Sequence, residues 1–500
     1  MRRILKQMVV LAFAAGAVLP AGQASAASCA EASEGGDWRA YGQDLESTRS
    51  QPLETTINTT NVAQLAPEWV FRASAQGGEG NMQATFPVAD GCVYVATNYG
   101  YIFALNADTG DLVWQYRAPN NGIIYGPTVA DGVVYVNVGP RRTFVAQPGG
   151  HGTETEESPY FLAFDSRSGE LLWQSVLFPW EVGVDSNTSA VYFDGMLWSG
   201  IDNPEGGFHT VAGFVLWDAS RECSEGTVAF CAHPVEEATG GTIVKYTKMI
   251  PPDQEAAGFA GGGPWTTAAV DPETKYGYFG SAQPSGYFDR ESEFTNSIIK
   301  FDFDRERSTF GEIVGVLKGT SDGESGYIDV DYGGSPTIFN DVDGRQIVAE
   351  LQKSGWVHAA YTRHMAHAWS APQMGFGTAL GNYTSVATDG TNVFGVGSYP
   401  GQAFSLNGTT GLPNWITPIG PTVGSGNMAY ANGVVYYADD KGILFGFDAA
   451  TGVPVLTKSL AVDNGGDCGE RAGMGSGVVI ARNTVYVPCG DSFIAYRLPA

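Results

Sequence analysis

Apolar and polar residues alternate with a period of two in short segments along most of the chain, and residues 91–116 show this best. Segments 93–95 and 102–104 keep the alternation that is typical of half-buried β-strands. Asn-Tyr-Gly at 98–100 and Asp-Thr-Gly at 108–110 separate the apolar segments. Glycine favours a turn at such positions because it adopts a positive φ without a steric penalty. The unit therefore predicts three short antiparallel strands.

The same unit returns along the chain, at 132–173, 392–415 and 433–452, with a spacing of roughly 40–60 residues that is typical of propeller blades. Counting such units gives eight. The pattern predicts an all-β fold, an eight-bladed β-propeller of four-stranded antiparallel blades. We expect the last strand, 492–496, to complete the blade that ends at Trp69, since this closure removes the open edge. Tryptophans that end the outer strands are expected to wedge between blades.

Residues 1–26 read as a signal peptide, and residues 27–500 as a single propeller domain. The first residues are basic, segment 8–19 is apolar but too short to span a bilayer, and Ala-Ser-Ala at 24–26 matches a cleavage site. The mature protein is therefore expected to be periplasmic or secreted, with no membrane span.

Charge and cysteine content narrow the possible functions. The formal net charge of −26 argues against binding to nucleic acid or to an anionic membrane surface. Six cysteines in an exported chain favour disulfides. We predict Cys223–Cys231 and Cys468–Cys489, which leaves the other two cysteines, Cys29 and Cys92, by elimination only. The chain has no Cys-x-x-Cys-His sequence for attaching a c-type haem.

Five segments carry a family resemblance: 37–49, 61–69, 261–272, 329–336 and 352–357. Together they resemble the pyrroloquinoline quinone (PQQ) dependent dehydrogenases of the eight-bladed type, and most of all the polyvinyl-alcohol dehydrogenase branch. The resemblance covers nearly the whole mature chain. It implies PQQ as cofactor together with Ca²⁺ or another hard cation.

The resemblance implies cofactor contacts for Trp265, Lys353 and Tyr160. Trp265 follows three glycines and matches the residue whose ring lies under the cofactor; the alternative is one more wedge between blades. Lys353 matches the family's cation near the quinone oxygens, and the alternative is a solvated surface charge. Tyr160 stands where many family members have a vicinal cysteine pair, and we predict that it covers the cofactor ring instead.

The resemblance also implies a catalytic base at Asp331 or Asp329. Alternate positions of a strand share one face, so one carboxylate could take the proton of a substrate hydroxyl while the other supports it or binds metal. The sequence leaves open which aspartate is the base. A turn-stabilising role before the two glycines at 333–334 is the alternative for at least one of them.

Metal ligands are implied at Gln283 and in the acidic run that contains Glu154, Glu156 and Glu157. Hard cations prefer such carboxylate and amide oxygens. Gln283 replaces the family's asparagine, so its amide lies one methylene further from the main chain. For the three glutamates the alternative is a solvated loop, since acidic runs are ordinarily solvated. The family's cofactor-binding arginine is also missing, and Arg141 and Arg142 could substitute for it.

These features predict an exported dehydrogenase that oxidises an alcohol, with a secondary or polymeric alcohol as the finer expectation. Electrons are expected to pass to a separate cytochrome c, because this chain has no haem motif. The alternative is a propeller without cofactor that acts as a binding or assembly scaffold, or a different enzyme on the same fold.

Overall fold

The computed structural model describes residues 27–118, 125–139, 144–147, 150–153, 159–175, 185–202, 212–220, 242–284, 291–320, 330–371, 374, 382–422, 426–466, 468 and 477–499. They form eight four-stranded antiparallel sheets and one two-stranded ribbon, with strands numbered in chain order. The predicted eight-bladed propeller is therefore confirmed. Strand 1 of one blade contacts strand 1 of a neighbouring blade, which places the first strands around the central channel.

The blades are numbered by the chain position of the earliest strand that each contains. Blade 1 contains β1 (Ala66–Arg72), β32 (Val479–Ala481), β33 (Thr484–Cys489) and β34 (Ser492–Arg497). Blade 2 contains β2 (Val88–Ala89), β3 (Cys92–Ala96), β4 (Tyr101–Asn106) and β5 (Leu112–Arg117). Blade 3 contains β6 (Thr128–Ala130), β7 (Val133–Val138), β10 (Tyr160–Asp165) and β11 (Leu171–Gln174), with the ribbon β8 (Phe144–Gln147) and β9 (Gly150–Thr153) inserted between its second and third strands. Blade 4 contains β12 (Val191–Phe193), β13 (Met196–Ile201), β14 (Gly213–Asp218) and β15 (Thr242–Lys248).

The remaining blades follow the same order. Blade 5 contains β16 (Ala269–Asp271), β17 (Tyr276–Gly280), β18 (Ser297–Asp302) and β19 (Ile313–Lys318). Blade 6 contains β20 (Thr337–Asn340), β21 (Gln346–Leu351), β22 (Val357–Tyr361) and β23 (Ala366–Ser370). Blade 7 contains β24 (Ala387–Thr388), β25 (Asn392–Gly397), β26 (Gln402–Asn407) and β27 (Pro413–Pro418). Blade 8 contains β28 (Ala429–Ala431), β29 (Val434–Ala438), β30 (Ile443–Asp448) and β31 (Pro454–Ser459).

Helices are few and short. The described residues contain two α-helices, α1 (Pro252–Ala256) and α2 (Leu460–Asn464), and two 3₁₀ turns at Val62–Gln64 and Ser74–Gln76. None of these helices has the length and apolar character that crossing a membrane requires.

The first and the last strand of the described residues pair in blade 1, as the sequence predicts. Strand β1 pairs with β34, and Trp69 lies opposite Ala495 in this antiparallel ladder. The disulfide Cys468–Cys489 is confirmed and joins the segment after α2 to β33, with a Cα separation of 4.7 Å. Cys29 and Cys92 form a second disulfide, with a Cα separation of 4.8 Å. The predicted Cys223–Cys231 pair lies outside the described residues.

Outer-strand tryptophans join neighbouring blades, which confirms their predicted role as wedges. Trp114 of blade 2 donates its indole N–H to the carbonyl of Ser166 in the next blade at 2.9 Å. Its ring covers Gly169, where a Cβ atom would lie only 2.6 Å from the ring. Trp369 and Trp415 make the same contact with blades 7 and 8. In blades 2, 3, 7 and 8, the glycine that ends an Asp/Asn-x-x-x-Gly turn is thus the surface on which the previous blade's tryptophan packs.

The two ends of the channel differ in how the strands are connected. Strands 1 and 2 of a blade are joined by tight turns at what we call the lower end. In the turns at 90–91, 131–132 and 194–195, aspartate and glycine both have positive φ values, which suits a two-residue hairpin. Because the strands are antiparallel, the longer connections between strands 2 and 3, and between blades, lie at the opposite, upper end.

A belt of polar side chains surrounds the channel between these ends. Each backbone N–H donates to the side chain of the next blade: Ser189 N to Thr267 Oγ1 (3.1 Å), Thr267 N to Ser335 Oγ (2.9 Å), Ser335 N to Ser385 Oγ (2.9 Å) and Ser385 N to Asn427 Oδ1 (3.3 Å). Asn427 then reaches past Gly477 and donates to Thr85 Oγ1 at 2.9 Å. A Cβ at Gly477 would lie 2.0 Å from that hydroxyl oxygen. The belt fixes the register of each first strand against the next.

The N-terminal segment 36–51, which we call the plug, crosses the channel below the belt. Its main chain hydrogen-bonds to the first strand, or the residue directly after it, in seven blades: Arg482 N to Gly36 O, Val88 N to Trp38 O, Val129 N to Arg39 O, Val270 N to Leu45 O, Ile338 N to Glu46 O, Thr388 N to Thr48 O and Tyr430 N to Arg49 O, at 2.7–3.0 Å. Beside blade 4, a cavity of about 230 Å³ lies between the plug and the first strands of blades 3–5. The plug therefore occupies the lower part of the channel.

Arg49 anchors the plug by its side chain as well. The side chain is fully buried, and its Nη1 donates to the carbonyls of Ser47 at 2.8 Å and Val386 at 2.9 Å. Burial lowers the pKa of this guanidinium to about 10, but the group stays charged at neutral pH.

We expect Arg49→Met to lower the free energy of unfolding by about 2 kcal/mol. Hydrogen bonds from charged donors contribute about 1.5–3 kcal/mol each, and the relief of guanidinium desolvation offsets part of the loss. Urea unfolding measures the effect. The control is Arg305→Met, since the Arg305–Asp218 pair is 42% exposed at the arginine and such pairs contribute about 0–1 kcal/mol. Equal stability of the two variants would contradict the role of Arg49.

Candidate functional site

Three of the predicted site residues come from connections at the upper end of the propeller. Trp265 lies between β15 and β16, Asp331 between β19 and β20, and Lys353 between β21 and β22. The connection that contains Asp331 is not a strand in the structure, so the predicted strand positions of the two aspartates are wrong for Asp331. Asp329 lies outside the described residues.

The side chains of these three residues are in contact. Lys353 Nζ lies 2.5 Å from Asp331 Oδ1, and both side chains are almost completely buried. The indole N–H of Trp265 donates to Asp331 Oδ2 at 3.1 Å. Lys353 Nζ also lies 4.9 Å from the centre of the Trp265 ring, within the range of a cation–π contact. The ammonium and the indole N–H thus contact the two carboxylate oxygens of Asp331.

A fourth residue, Tyr383, joins this group from the connection that leads into blade 7. It was not among the residues predicted from the sequence. Its ring centre lies 5.3 Å from Lys353 Nζ and 5.5 Å from the Trp265 ring, in an edge-to-face arrangement. The residue before it, Asn382, donates its side-chain N–H to the carbonyl of Lys353 at 2.9 Å. The connections of blades 6 and 7 are therefore joined independently of the tyrosine ring.

The register of the belt explains why these rings meet. Trp265, Gly333 and Tyr383 each lie two residues before the belt position of blades 5, 6 and 7. A Cβ at Gly333 would lie 2.7 Å from Tyr383 and 3.0 Å from Trp265. The missing side chain of blade 6 thus leaves room for the aromatic rings of its two neighbours to touch. Aligning the repeats at the belt residue would have identified Tyr383 as the counterpart of Trp265.

Gln283 lies in the upper connection of blade 5, next to the glycines that precede Trp265. Its carbonyl accepts a hydrogen bond from Gly262 N at 3.1 Å, and Ala282 N donates to Gly263 O at the same distance. The Gln283 side chain is buried. Its predicted role as a metal ligand stays a prediction.

Tyr160 begins β10 in blade 3, and its side chain is buried in the hydrophobic core cluster that also contains Val138 and Leu162. Its predicted position over the cofactor stays a prediction. The remaining predicted residues, Glu154, Glu156, Glu157, Arg141 and Arg142, lie outside the described residues.

A buried carboxyl group, Glu350, lies in β21 close to the site. Its side chain is fully buried, and neither carboxyl oxygen has a hydrogen-bond partner among the described residues. Gly280 faces it so closely that a Cβ there would lie 2.1 Å from Oε1. Desolvation raises the pKa of Glu350 well above its ordinary value, and the positive charge of Arg49 opposes this shift only in part.

We expect Glu350→Gln to gain stability relative to the wild type as the pH rises from 5 to 8. The folded-state pKa of Glu350 lies above the unfolded value of 4.5, so the native state loses stability as pH rises from 4.5 through the folded pKa. The loss amounts to about 1.4 kcal/mol per pH unit in that window. Urea unfolding at several pH values measures it, with Glu68→Gln on the exposed face of β1 as control. A stability difference that does not change with pH would contradict the prediction.

The described groups fit a planar anionic quinone better than they fit a metal alone. An indole ring offers a flat surface and an ammonium offers a positive charge, both of which suit a carboxylated aromatic ligand. Asp331 and Gln283 provide hard oxygen donors for a cation. Within the described ranges, no group of three or more His, Cys, Asp or Glu residues is placed to hold a metal ion.

Comparisons with known proteins agree with this chemistry. The family profile described as "PQQ: Glucose/ethanol/alcohol dehydrogenase, beta-propeller domain" matches residues 38–151. A polyvinylalcohol dehydrogenase from a Sphingopyxis species is 24% identical over 516 residues, which cover 91% of this chain and 72% of that enzyme. The dehydrogenase subunit of a quinone alcohol dehydrogenase from Gluconobacter oxydans is 28% identical over 188 residues, which cover 36% of this chain and only 23% of that subunit.

The solved structures show the same fold. A quinohemoprotein alcohol dehydrogenase from Pseudomonas putida superposes with a TM-score of 0.69 at 15% identity, covering 93% of this chain and 80% of that one. At this identity the likeness concerns the fold alone. The predicted resemblance to the PQQ-dependent dehydrogenases is therefore confirmed in sequence, and the eight-bladed architecture that it implies is confirmed in structure.

Proposed function

We propose that this protein is a PQQ-dependent dehydrogenase that oxidises an alcohol. The observation that carries the proposal is the contact of Trp265, Asp331 and Lys353 at the upper end of the channel. These residues come from different connections of blades 5 and 6, so their proximity does not follow from closeness in sequence. A scaffold propeller has no evident need for a buried ion pair beside a glycine-flanked indole.

Each side chain has a role that its chemistry supports. Trp265 offers the surface on which PQQ stacks, and Lys353 places a positive charge beside it. Asp331 is the general base that accepts the hydroxyl proton of the alcohol. PQQ, when bound, supplies the orthoquinone that accepts the hydride. The almost complete burial of Asp331 and Lys353 excludes water, which strengthens the interaction of both charges with a bound substrate.

The proposal also covers the cation, the substrate, the location of the enzyme and the electron acceptor. The cation is Ca²⁺ or another hard cation, held by Gln283 and by the glutamates of the 154–157 run. The substrate is an alcohol, with secondary and polymeric alcohols as first candidates because the polyvinylalcohol dehydrogenase aligns along most of the chain. Export by the signal peptide 1–26 places the enzyme in the periplasm or outside the cell, where a separate cytochrome c accepts the electrons.

Reconstitution tests the proposal directly. Purified protein without cofactor is titrated with PQQ in the presence of Ca²⁺, and then of a lanthanide, while cofactor absorbance and alcohol-dependent dye reduction are followed. We expect saturable PQQ binding and dye reduction with both a secondary and a polymeric alcohol series. Trp265→Ala is the matched variant, and we expect weaker PQQ binding because the stacking surface is lost. If the wild type binds no PQQ with any cation, the protein is a propeller without this activity, and the scaffold function becomes the better candidate.

A further inference from the structure

We propose that Tyr383 is a positioning residue that holds the ammonium of Lys353 against Trp265 and Asp331. It thereby sets where the positive charge of the site lies. The effect on Lys353 rests on the geometry of this chain alone, whereas its consequence for cofactor affinity rests on the function proposed above.

The ammonium of Lys353 is enclosed from three directions. Asp331 Oδ1 is 2.5 Å away, the Trp265 ring centre 4.9 Å and the Tyr383 ring centre 5.3 Å. Both rings lie within about 6 Å, the distance at which the negative face of an aromatic ring attracts a cation. A lysine side chain has four rotatable carbons, so a carboxylate alone does not fix its direction. The two rings remove the other positions that the ammonium could adopt.

The backbone beside Tyr383 is held by contacts that do not involve the Tyr383 ring. Asn382 is held by Ser398, whose hydroxyl accepts from Asn382 N at 2.7 Å and whose N–H donates to Asn382 Oδ1 at 2.8 Å. Asn382 in turn donates to the carbonyl of Lys353. The backbone of both residues is therefore fixed by contacts that a change of the Tyr383 side chain leaves in place.

Tyr383 is only half-buried, unlike the residues of the blade cores. Its ring meets Trp265 edge-to-face above Gly333, at the upper end of the channel. A residue with a purely structural role would be expected to pack inside a core cluster, and Tyr383 is in none of the clusters of the described residues. The ring instead shields Lys353 from solvent at the mouth of the site.

The first test measures the reactivity of Lys353 in protein without cofactor. Limited acetylation with acetic anhydride, followed by peptide mass spectrometry, gives the modification rate of each lysine. We expect Tyr383→Leu to raise the rate at Lys353 about tenfold, since the loss of a desolvated cation–π contact corresponds to about that factor. Tyr383→Phe keeps the ring and should stay within about twofold of the wild type. Lys275, which is 34% exposed and lies in the turn between β16 and β17 of blade 5, is the internal control.

The second test measures PQQ affinity by absorbance titration. We expect Tyr383→Leu to weaken binding about tenfold and Tyr383→Phe to leave it nearly unchanged. An unchanged modification rate at Lys353 in Tyr383→Leu would overturn the proposal, as would an equal effect of the Phe and Leu variants. If circular dichroism shows that Tyr383→Leu is unfolded, Tyr383→Met, which also lacks the ring, takes its place. If the rate rises but the wild type binds no PQQ, Tyr383 keeps its positioning role and only the proposed function fails.

Discussion

Replacing Asp331 with asparagine is expected to lower turnover of an alcohol by about 10²–10⁴-fold, the range that is typical of a lost general base. Asparagine keeps the shape of the side chain, and its carbonyl oxygen can still accept the hydrogen bond from Trp265. It cannot accept a proton from the substrate. The chemical step should therefore slow in variant protein that has bound PQQ, and pre-steady-state reduction of the bound cofactor measures that step.

Asp329→Asn is the matched control for this prediction, since the sequence leaves open which aspartate is the base. If Asp329→Asn alone abolishes turnover, the roles of the two residues are reversed. If neither substitution changes the rate of a PQQ-loaded protein, the base is a different residue and the proposed chemistry of the site is wrong.

Replacing Lys353 with methionine is expected to lower the free energy of unfolding by about 3–5 kcal/mol, the cost of removing one partner of a buried ion pair. Lys353 and Asp331 are each 3–4% exposed, so the remaining carboxylate would be held in a poorly solvated position. Urea unfolding of the protein without cofactor measures this effect separately from catalysis. Lys245→Met is the matched control, because Lys245 and Glu312 are 35% and 56% exposed and their pair should contribute less than about 1 kcal/mol.

A double-mutant cycle separates the ion pair from simple loss of packing. In the Lys353→Met/Asp331→Asn variant the buried charge is gone, so we expect most of the lost stability to return. A double variant whose loss equals the sum of the two single losses would show that the residues do not interact. A Lys353→Met variant that is no less stable than Lys245→Met would show that the Lys353–Asp331 pair adds nothing to stability.

Local patterns in the sequence determined the blade, the number of blades and the way in which they close. Period-two alternation, Asp-Gly turns and returning tryptophans all act within one blade or between consecutive blades, so their meaning does not depend on the rest of the chain. Trp69 opposite Ala495 in blade 1 and the wedge contact of Trp114 follow from these signals. The resemblance of short motifs also identified Trp265, Lys353 and Asp331, because each motif carries its residue with it.

The tertiary structure alone decided how these residues meet and what surrounds them. Tyr383 contacts Trp265 across Gly333 only because the ring of blades brings blades 5 and 7 together above a glycine. The fully buried state of Glu350 likewise depends on Gly280 of the neighbouring blade. Such contacts join residues that are distant in sequence, and no local pattern specifies them.

The plug shows most clearly that local sequence patterns do not specify contacts between distant parts of the chain. It contains the family motif 37–49, but its function in the fold is carried by backbone carbonyls that accept hydrogen bonds from seven blades. Backbone groups are the same in every residue, so side-chain patterns do not reveal their partners. Those partners exist only once the propeller has closed around the segment, and for this reason the closed lower channel could be seen only in the structure.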